Sequence, residues 1–386
     1  MASKARRSLQ GAGIAHALHD GYTDMIYVLL PVWQAEFALG YAALAALRGV
    51  YAGAMAAFQV PAGWLAERGL GGRTVLVAGT VLSALGYALA GFSGGLAGLC
   101  GALALSGIGS STQHPLASAA VSRAYGASAR GPLGVYNFSG DLGKAALPAL
   151  LGVLIVALSW RPALWLVAGL GLAGAAVIWT LLPAGDAVEP KAKAGAGAAR
   201  GGFGLLLAIG VLDSGVRMGF LTFLPFLLKA KGADLPLIGF AFTLLFLGGA
   251  AGKFACGWLG ARLGVLATVL ATEIGTAAAI GAAIFLPLSA TLVLLPLLGV
   301  MLNGTSSVLY GTVPELVPSE GVARAFAVFY TGTIGSGALS PILYGVVGDS
   351  FGPEWGAAAA AMAALLTCPL ALLLASHLRA GPLPAF

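Results

Sequence analysis

The sequence predicts an all-α polytopic membrane protein of twelve transmembrane helices, built as two pseudo-symmetric six-helix bundles. Three observations predict it. The chain is 59% hydrophobic and only 9% charged, with a mean hydropathy of +0.94. Apolar runs of about twenty residues, enough to cross roughly 30 Å of hydrocarbon as a helix, recur from end to end. The first and second halves also match each other at a near-constant offset. Lipid offers backbone groups no hydrogen bonds, so only helices or a closed barrel can span it, and these runs lack the period-two alternation of barrel strands.

The spans are expected at 11–35, 41–66, 73–93, 97–124, 130–158, 161–183, 203–228, 236–260, 264–287, 291–317, 323–348 and 355–377. Glycine, 59 of 386 residues, is about twice its usual share. Pairs such as Gly49/Gly53 and Gly248/Gly252 have the small-xxx-small spacing that lets helix backbones approach. Lys4, Arg6 and Arg7 precede an apolar run, but that run carries His16, His19, Asp20 and Asp24 and leads into a span, so it reads as an uncleaved first helix rather than a signal peptide. The stretch between spans six and seven is polar, charged and rich in alanine and glycine, as a flexible linker should be. It divides the chain into bundles 1–183 and 203–386, with a linker at 184–202 on the side of the termini.

The duplication is written in short matches. Tyr27–Trp33 aligns with Leu221–Leu227, and the glycine-rich loop at Gly63 aligns with that at Gly257, both at an offset of 194 (225 − 31 and 257 − 63). Pro148 and Gly152 align with Pro341 and Gly345 at 193. Six spans return the chain to its starting side, so the repeats are parallel.

Net charge is +6. With both termini in the cytoplasm, Lys4, Arg6, Arg7, Arg68, Arg73, Arg123, Arg130, Lys191, Lys193, Arg200, Arg262, Arg324 and Arg379 fall on the cytoplasmic side, and only Arg161, Lys229 and Lys231 fall outside. That asymmetry is the positive-inside pattern of a plasma membrane protein, in bacteria the inner membrane, and no nucleic-acid partner is needed to explain the basic balance. Cys100, Cys256 and Cys368 are scattered through apolar segments without metal spacing. No Walker loop, H-E-x-x-H, C-x-x-C or EF-hand spacing occurs, so ATP-driven transport, metal-dependent hydrolysis and a bound cofactor or metal have no support. Gly91–Gly95 fits G-x-S-x-G but sits in a short turn between spans, not on a strand-to-helix elbow. An enzyme is not expected.

Here the residues resemble the major facilitator superfamily of secondary transporters. Gly63–Arg73, GWLAERGLGGR, is similar to that family's loop between the second and third helices, with Glu67 where aspartate is usual; the second copy keeps Gly257, Arg262 and Gly264 but has Ala261 in place of the acid. The resemblance implies that Gly63, Glu67, Arg68 and Arg73 act as a conformational latch; the plain alternative is a turn with solvated charges. A narrower resemblance, to the fosmidomycin-resistance branch, rests on HALHDGYTDMIYVLLP and GIGSSTQHPLASAAVSR and points to His16, Asp20, His114, Pro115 and Arg123. Here His19 takes the usual asparagine position and GDLGK departs from the branch's small neutral pattern. A monomer is the family expectation.

An ionised residue near the bilayer centre costs roughly 2.5–3.5 kcal/mol on insertion scales, so such residues face a bundle interior and usually serve a function. At about 1.5 Å of rise per residue, Asp20, Asp141, Asp213 and Glu273 all fall near the midplane. In the family's fold the cavity-lining helices would carry Asp20, Asp24, Asp141, Lys144, Asp213, Arg217 and Lys253; Glu273, on the normally peripheral ninth helix, is left out. Asp141 and Lys144 are i and i+3 on one helix, so they share a face and are expected to neutralise each other, either as a switch or as a fixed ion pair. His114 reads as a proton relay or ligand contact, or equally as a packing histidine beside Pro115. Arg48 and Arg217 attract an anion, snorkel, or pair with Asp24, while Lys253 is expected to snorkel. Trp33, Tyr51, Tyr136, Phe220, Phe223 and Tyr330 are cavity aromatics or packing. Glycines 140, 143, 335 and 337, with Pro148 and Pro341, mark closely packed or bending helices.

The expectation is alternating-access transport of a small organic anion or zwitterion by a proton-coupled exporter. Asp20, Asp24, Asp141 and His114 are the proton-coupling candidates. His19, Lys144, Arg217, Asp213, Tyr136 and Arg48 are the substrate candidates. The alternatives are a proton- or sodium-coupled importer or exchanger of an organic anion and, more remotely, a non-transporting receptor. The expected partners are a small-molecule substrate, protons and the lipid bilayer.

Overall fold

The computed structural model describes residues 2–184, 202–317 and 321–378. Lys191, Lys193 and Arg200 of the expected linker, and Arg379, lie outside the described residues. The described chain is helical with no strand. The first half holds α1 (Ala2–Phe37), α2 (Tyr41–Leu65), α3 (Gly72–Ala90), α4 (Leu96–Ser110), α5 (Gln113–Tyr125), α6 (Arg130–Leu158) and α7 (Trp160–Leu181). The second holds α8 (Phe203–Ala230), α9 (Leu235–Phe285), α10 (Leu288–Thr312), α11 (Val322–Phe351) and α12 (Pro353–Ala375).

Two differences from the expected spans have local causes. The fourth span, expected unbroken over 97–124, is interrupted at Ser111–Thr112. Pro115 has no N–H to give the Ser111 carbonyl, and the hydroxyls there bond backward instead, Ser111 Oγ to Ile108 O at 2.6 Å and Thr112 Oγ1 to Gly109 O at 3.0 Å. Spans eight and nine run together as α9, but Gly264 has φ 83 and ψ 164, which ends one helix and starts the next. Length and apolarity alone would let nine of the described helices cross a membrane; α1, with its histidines and aspartates, and the interrupted α4–α5 are not among them.

The duplication recurs in the backbone. Among the described residues, six of the nine with positive φ form three pairs: Ala38 (φ 51) and Gly232 (φ 90) at an offset of 194 (232 − 38), Gly71 (φ 77) and Gly264 (φ 83) at 193 (264 − 71), Ser159 (φ 71) and Gly352 (φ 103) at 193 (352 − 159). Ala38 and Ser159 accept a left-handed conformation that glycine takes freely, so the turns are set by the repeat and not by local preference.

Three apolar cores fix the overall shape. Away from the termini, one core is shared by both halves: Tyr27, Leu30, Trp33, Leu44 and Leu151 pack in a single cluster with Phe220, Phe223, Phe242 and Leu298. Towards the termini each half keeps its own. Ala12, Leu76, Leu116 and Ile178 form one, and Leu206, Val269, Leu309 and Phe329 the other. Contacts between the halves follow the same division. An added Cβ on Gly152 would meet the Leu235 carbonyl at 2.5 Å, one on Gly239 the Pro148 carbonyl at 2.5 Å, and one on Gly49 the Ala338 carbonyl at 2.7 Å. The Asp349 carboxylate accepts from the Tyr41 and Ala42 amides at 2.5 and 3.1 Å, so α11 caps the N-terminus of α2. At Gly53, Gly63, Gly257 and Gly335, nearer the termini, nothing lies within 4 Å. The halves are therefore joined from mid-depth to the far side and part on the side of the termini.

Candidate functional site

The floor of that opening is built by α1. His16, Asp20 and Asp24 are spaced by four and line one face, and all are buried. Gly143 brings α6 against this face: its Cα sits so close to the Ala17 carbonyl that a Cβ would overlap it. One residue further on, Lys144 reaches Asp20 Oδ2 with its Nζ at 3.3 Å. His16 Nε2 lies 3.3 Å from the same oxygen, and His19 Nε2 lies 3.8 Å from Oδ1. His16 is held by Tyr136: its Nδ1 bonds the Tyr136 carbonyl at 2.9 Å and the rings stack at 4.3 Å. Gln113 Nε2 in turn donates to the Tyr136 hydroxyl at 3.0 Å. His114 is edge-on to both His16 and His19, with centroids 5.4 and 4.7 Å away, yet it is exposed. Its exposure sets it apart from the two buried imidazoles it meets.

The expected Asp141–Lys144 pair does not form. Lys144 crosses to Asp20, while Asp141 Oδ1 accepts from Lys253 Nζ at 2.6 Å, across the two halves. Lys253, expected to snorkel, is instead an inter-half bridge. The reason is rotation: Lys144 points along the α1 face, and Asp141, one turn earlier, points to α9. Both lysines remain partly open, with side chains 28% and 39% exposed, against 9% and 10% for their aspartates. The cations are the more open members of both pairs.

Further out, Arg48 neither snorkels nor pairs. It is 4% exposed and lies 5.5 Å from the Tyr27 ring and 5.8 Å from the Tyr51 ring, with its Nε lacking a partner. Arg217 Nη1 reaches Ser306 Oγ at 3.3 Å, and its Nε is likewise unpartnered. Among the described residues Asp24 has no ion-pair partner within 4 Å, but it stands within Coulombic reach of Lys144, Arg48 and Arg217. Asp213 is also buried. It lies against Glu273, which belongs with the interior acids after all: the fold presses that part of α9 into its own half, and Glu273 is 2% exposed. Trp33, Tyr51, Tyr136, Phe220 and Phe223 are buried; Tyr330 is exposed.

The latch residues lie apart from this site, from the end of α2 to the start of α3. Arg68 covers the Trp64 ring at 3.3 Å and Arg73 the Trp179 ring at 4.1 Å, both within their own half. Among the described residues Glu67, Arg68 and Arg73 form no ion pair. A chain of hydroxyls the sequence does not announce runs from the site: Thr23 to Tyr51 at 3.0 Å, Tyr51 to Ser110 at 2.7 Å, Ser110 to Ser83 and Ser83 to Ser106 at 3.0 Å each. It passes the break between α4 and α5 at Ser110 and ends at Ser106 within α4.

The family profile described as Major Facilitator Superfamily matches residues 12–212 and again 205–385, one match per half. The chain belongs to the major facilitator superfamily. It is a multi-pass membrane transporter of that family, whose members move small molecules by alternating access. Among solved structures it is similar to a bacterial homologue of the human lysosomal transporter Spinster in inward-facing states. The occupied form has TM-score 0.79 and 16% identity, with 95% of this chain and 96% of that chain covered; the unoccupied form has 0.80 and 15%, with 98% and 99% covered. The POT family transporter PepTSo gives 0.76 and 14%, with 96% and 98% covered. At such identities the likeness is one of fold. No curated protein sequence matches this chain significantly. The major facilitator assignment covers both halves; the narrower fosmidomycin-resistance resemblance rests on the quoted motifs alone.

Proposed function

We propose that this chain is a proton-coupled exporter of a small organic zwitterion or anion, working as a monomer by alternating access in the plasma membrane with both termini in the cytoplasm. In a bacterium that is the inner membrane. Bodies 1–183 and 203–386 rock about the site, with 184–202 as the linker. The observation that carries the reading is the pair of lysines, Lys144 and Lys253, each bound to a carboxylate at mid-depth and each partly open to the cavity. Four charges there cost roughly 2.5–3.5 kcal/mol apiece on insertion scales, and apolar residues would pack at lower cost. A lipophilic cation would need no lysine.

Exchange requires proton and substrate to exclude each other at one group. Asp24 suits that role, since it lacks an ion-pair partner while three cations stand within reach. Deprotonated, it holds the cationic end of a zwitterion while Lys144 takes the acidic end; a proton arriving from the far side displaces the substrate. His114, open to the cavity beside His16 and His19, relays the proton to Asp20 and Asp24. A purely anionic substrate reverses the linkage: protonating Asp20 or Asp141 releases a lysine, so proton and anion bind together, and that is import by symport. The lysine–aspartate pairs are the observation that favours this second reading.

The test is flux in proteoliposomes loaded with a pH-sensitive dye, screening zwitterions and organic anions. Export by exchange predicts proton movement opposite to substrate, lost in Asp24→Asn while substrate counterflow persists, and binding lost in Lys144→Ala. Proton movement with the substrate selects the importer, and wild-type coupling in Asp24→Asn removes that residue from the mechanism.

A further inference from the structure

The imidazoles and the carboxylate on the cavity wall have a chemistry that proton relay does not use. One ligand atom each from His16, Asp20 and His114 can be chosen so that all lie within 4.8 Å of one another. His16 Nε2 and Asp20 Oδ2 are already 3.3 Å apart. Two ligands on a tetrahedral ion at about 2.0 Å stand about 3.3 Å from each other, so this edge is preset. The opposite nitrogen of His16 is tied to the Tyr136 carbonyl at 2.9 Å. That outer bond, typical of a metal-bound histidine, fixes the ring and presents Nε2 as the ligating atom. His114, exposed to the opening, needs to close by up to about 1.5 Å (4.8 − 3.3) and supplies the entry route. A further imidazole borders the cluster: His19 is buried, its Nδ1 has no hydrogen-bond partner, and its ring meets that of His114 edge-on.

We propose that His16, Asp20 and His114 form a binding site for a divalent transition-metal ion of the imidazole-preferring class, such as zinc or cobalt, at the base of the cavity. Two imidazoles and one carboxylate select borderline metals over magnesium or calcium, which take all-oxygen sites. Lys144 gates the site, because its ammonium occupies the same Asp20 Oδ2 that the ion would take. Its side chain is 28% exposed, so it can swing into the cavity and leave that oxygen to the ion. Metal binding and the Lys144–Asp20 pair are thus mutually exclusive, and an anion held by the released lysine would favour the metal. The surrounding charges are Asp24 and His19 on α1 and Lys144 on α6, with Lys253 and Asp141 beyond. The site goes beyond the exporter reading and does not depend on it, since the ion is read by binding alone.

The experiment is titration of the purified, tag-free chain in detergent with Co2+, followed by its visible d–d bands, and displacement of Co2+ by Zn2+. One ion per chain is expected, with affinity at least tenfold lower in His16→Ala and in His114→Ala. Lys144→Gln is expected to raise affinity several-fold, a gain that misfolding cannot produce. Absence of saturable bands in the wild type overturns the site, as does affinity unchanged in both histidine variants. Unchanged or weaker binding in Lys144→Gln overturns the gating. Because the probe is the metal alone, either failure leaves the transport reading standing, and loss of proton-coupled flux leaves this site standing.

Discussion

Asp141→Asn cuts the bridge between the halves. In the structure Lys253 Nζ sits 2.6 Å from Asp141 Oδ1. The Coulomb attraction at that distance is about 6 kcal/mol at an effective dielectric of 20 and about 1.6 in water. The Lys253 side chain is 39% exposed while Asp141 is 10% exposed, so the pair lies between those limits and also bears a desolvation cost. A net value of about 1–2 kcal/mol follows, roughly a five- to thirtyfold bias toward the conformation that holds the bridge. The assay places spin labels at Ala35→Cys and Ala230→Cys, exposed positions of the two halves away from the termini, with Cys100, Cys256 and Cys368 replaced. Distance distributions by double electron–electron resonance then report the fraction in which the far side is closed. Asp141→Asn is expected to shift that fraction toward far-side opening by the stated factor, and Lys253→Met to do the same. The double variant should show a coupling energy of about 1–2 kcal/mol in the cycle, because the two residues lose one shared interaction. Additive single effects, or unchanged distributions, would refute the claim that this ion pair holds the halves in the present state.

Asp349→Ala removes the carboxylate that caps α2 from the other half and should cost about 1 kcal/mol of far-side closure, read by the same label pair. Gly143→Ala drives a Cβ into the Ala17 carbonyl, a backbone atom that cannot rotate away; it is expected to destabilise by about 1–3 kcal/mol in detergent melts and to lower substrate affinity by pushing α6, and Lys144 with it, away from the α1 face. Glu36, outside the spanning segments, has its carboxyl held below the usual range by hydrogen bonds from Trp160 and Arg161. A depressed carboxyl stabilises above its unfolded value and loses that contribution as pH falls through its folded one. The difference in melting temperature between wild type and Glu36→Gln should therefore be constant at neutral pH and shrink below about pH 4.5; a difference independent of pH would exclude the tie.

Much of the architecture was legible because lipid leaves the chain few choices. Hydropathy located the spans, and the repeat of Gly63–Arg73 at Gly257 announced two halves that the paired turns at Gly71 and Gly264 repeat in backbone angles. Pro115 was visible too, but its effect, the opening at Ser111–Thr112, depended on hydroxyls finding carbonyls behind them. The mid-membrane charges were countable from the sequence, whereas their partners were not. An i, i+3 spacing places Asp141 and Lys144 about 60° apart around a helix, close enough to pair and also enough for each to face a different neighbour. The neighbour decides, and it comes from 112 residues away for Lys253 and 124 for Asp20 (144 − 20). Glu273 was set aside for the same reason: depth follows from counting residues, but the direction a side chain takes depends on which helices pack where.

That choice of partners gives α6 its part in the mechanism. Had Asp141 and Lys144 neutralised each other, the helix would carry a closed dipole, indifferent to how the halves stand. Split between Asp20 within the first half and Lys253 across to the second, the same two charges make α6 the element through which occupancy of the α1 site meets the bridge between the bodies. An acidic group that draws Lys144 away from Asp20 leaves that carboxylate without its lysine, on α1 against Gly140 and so beside Asp141, and the electrostatic cost of that is borne by the Lys253 bridge. Lys253→Gln should therefore reduce the dependence of conformer population on substrate while leaving binding at the α1 site within about threefold of wild type. Full substrate-driven closure in Lys253→Gln, measured with the Ala35→Cys and Ala230→Cys label pair, would show that the two pairs act independently and that coupling passes through some element other than α6.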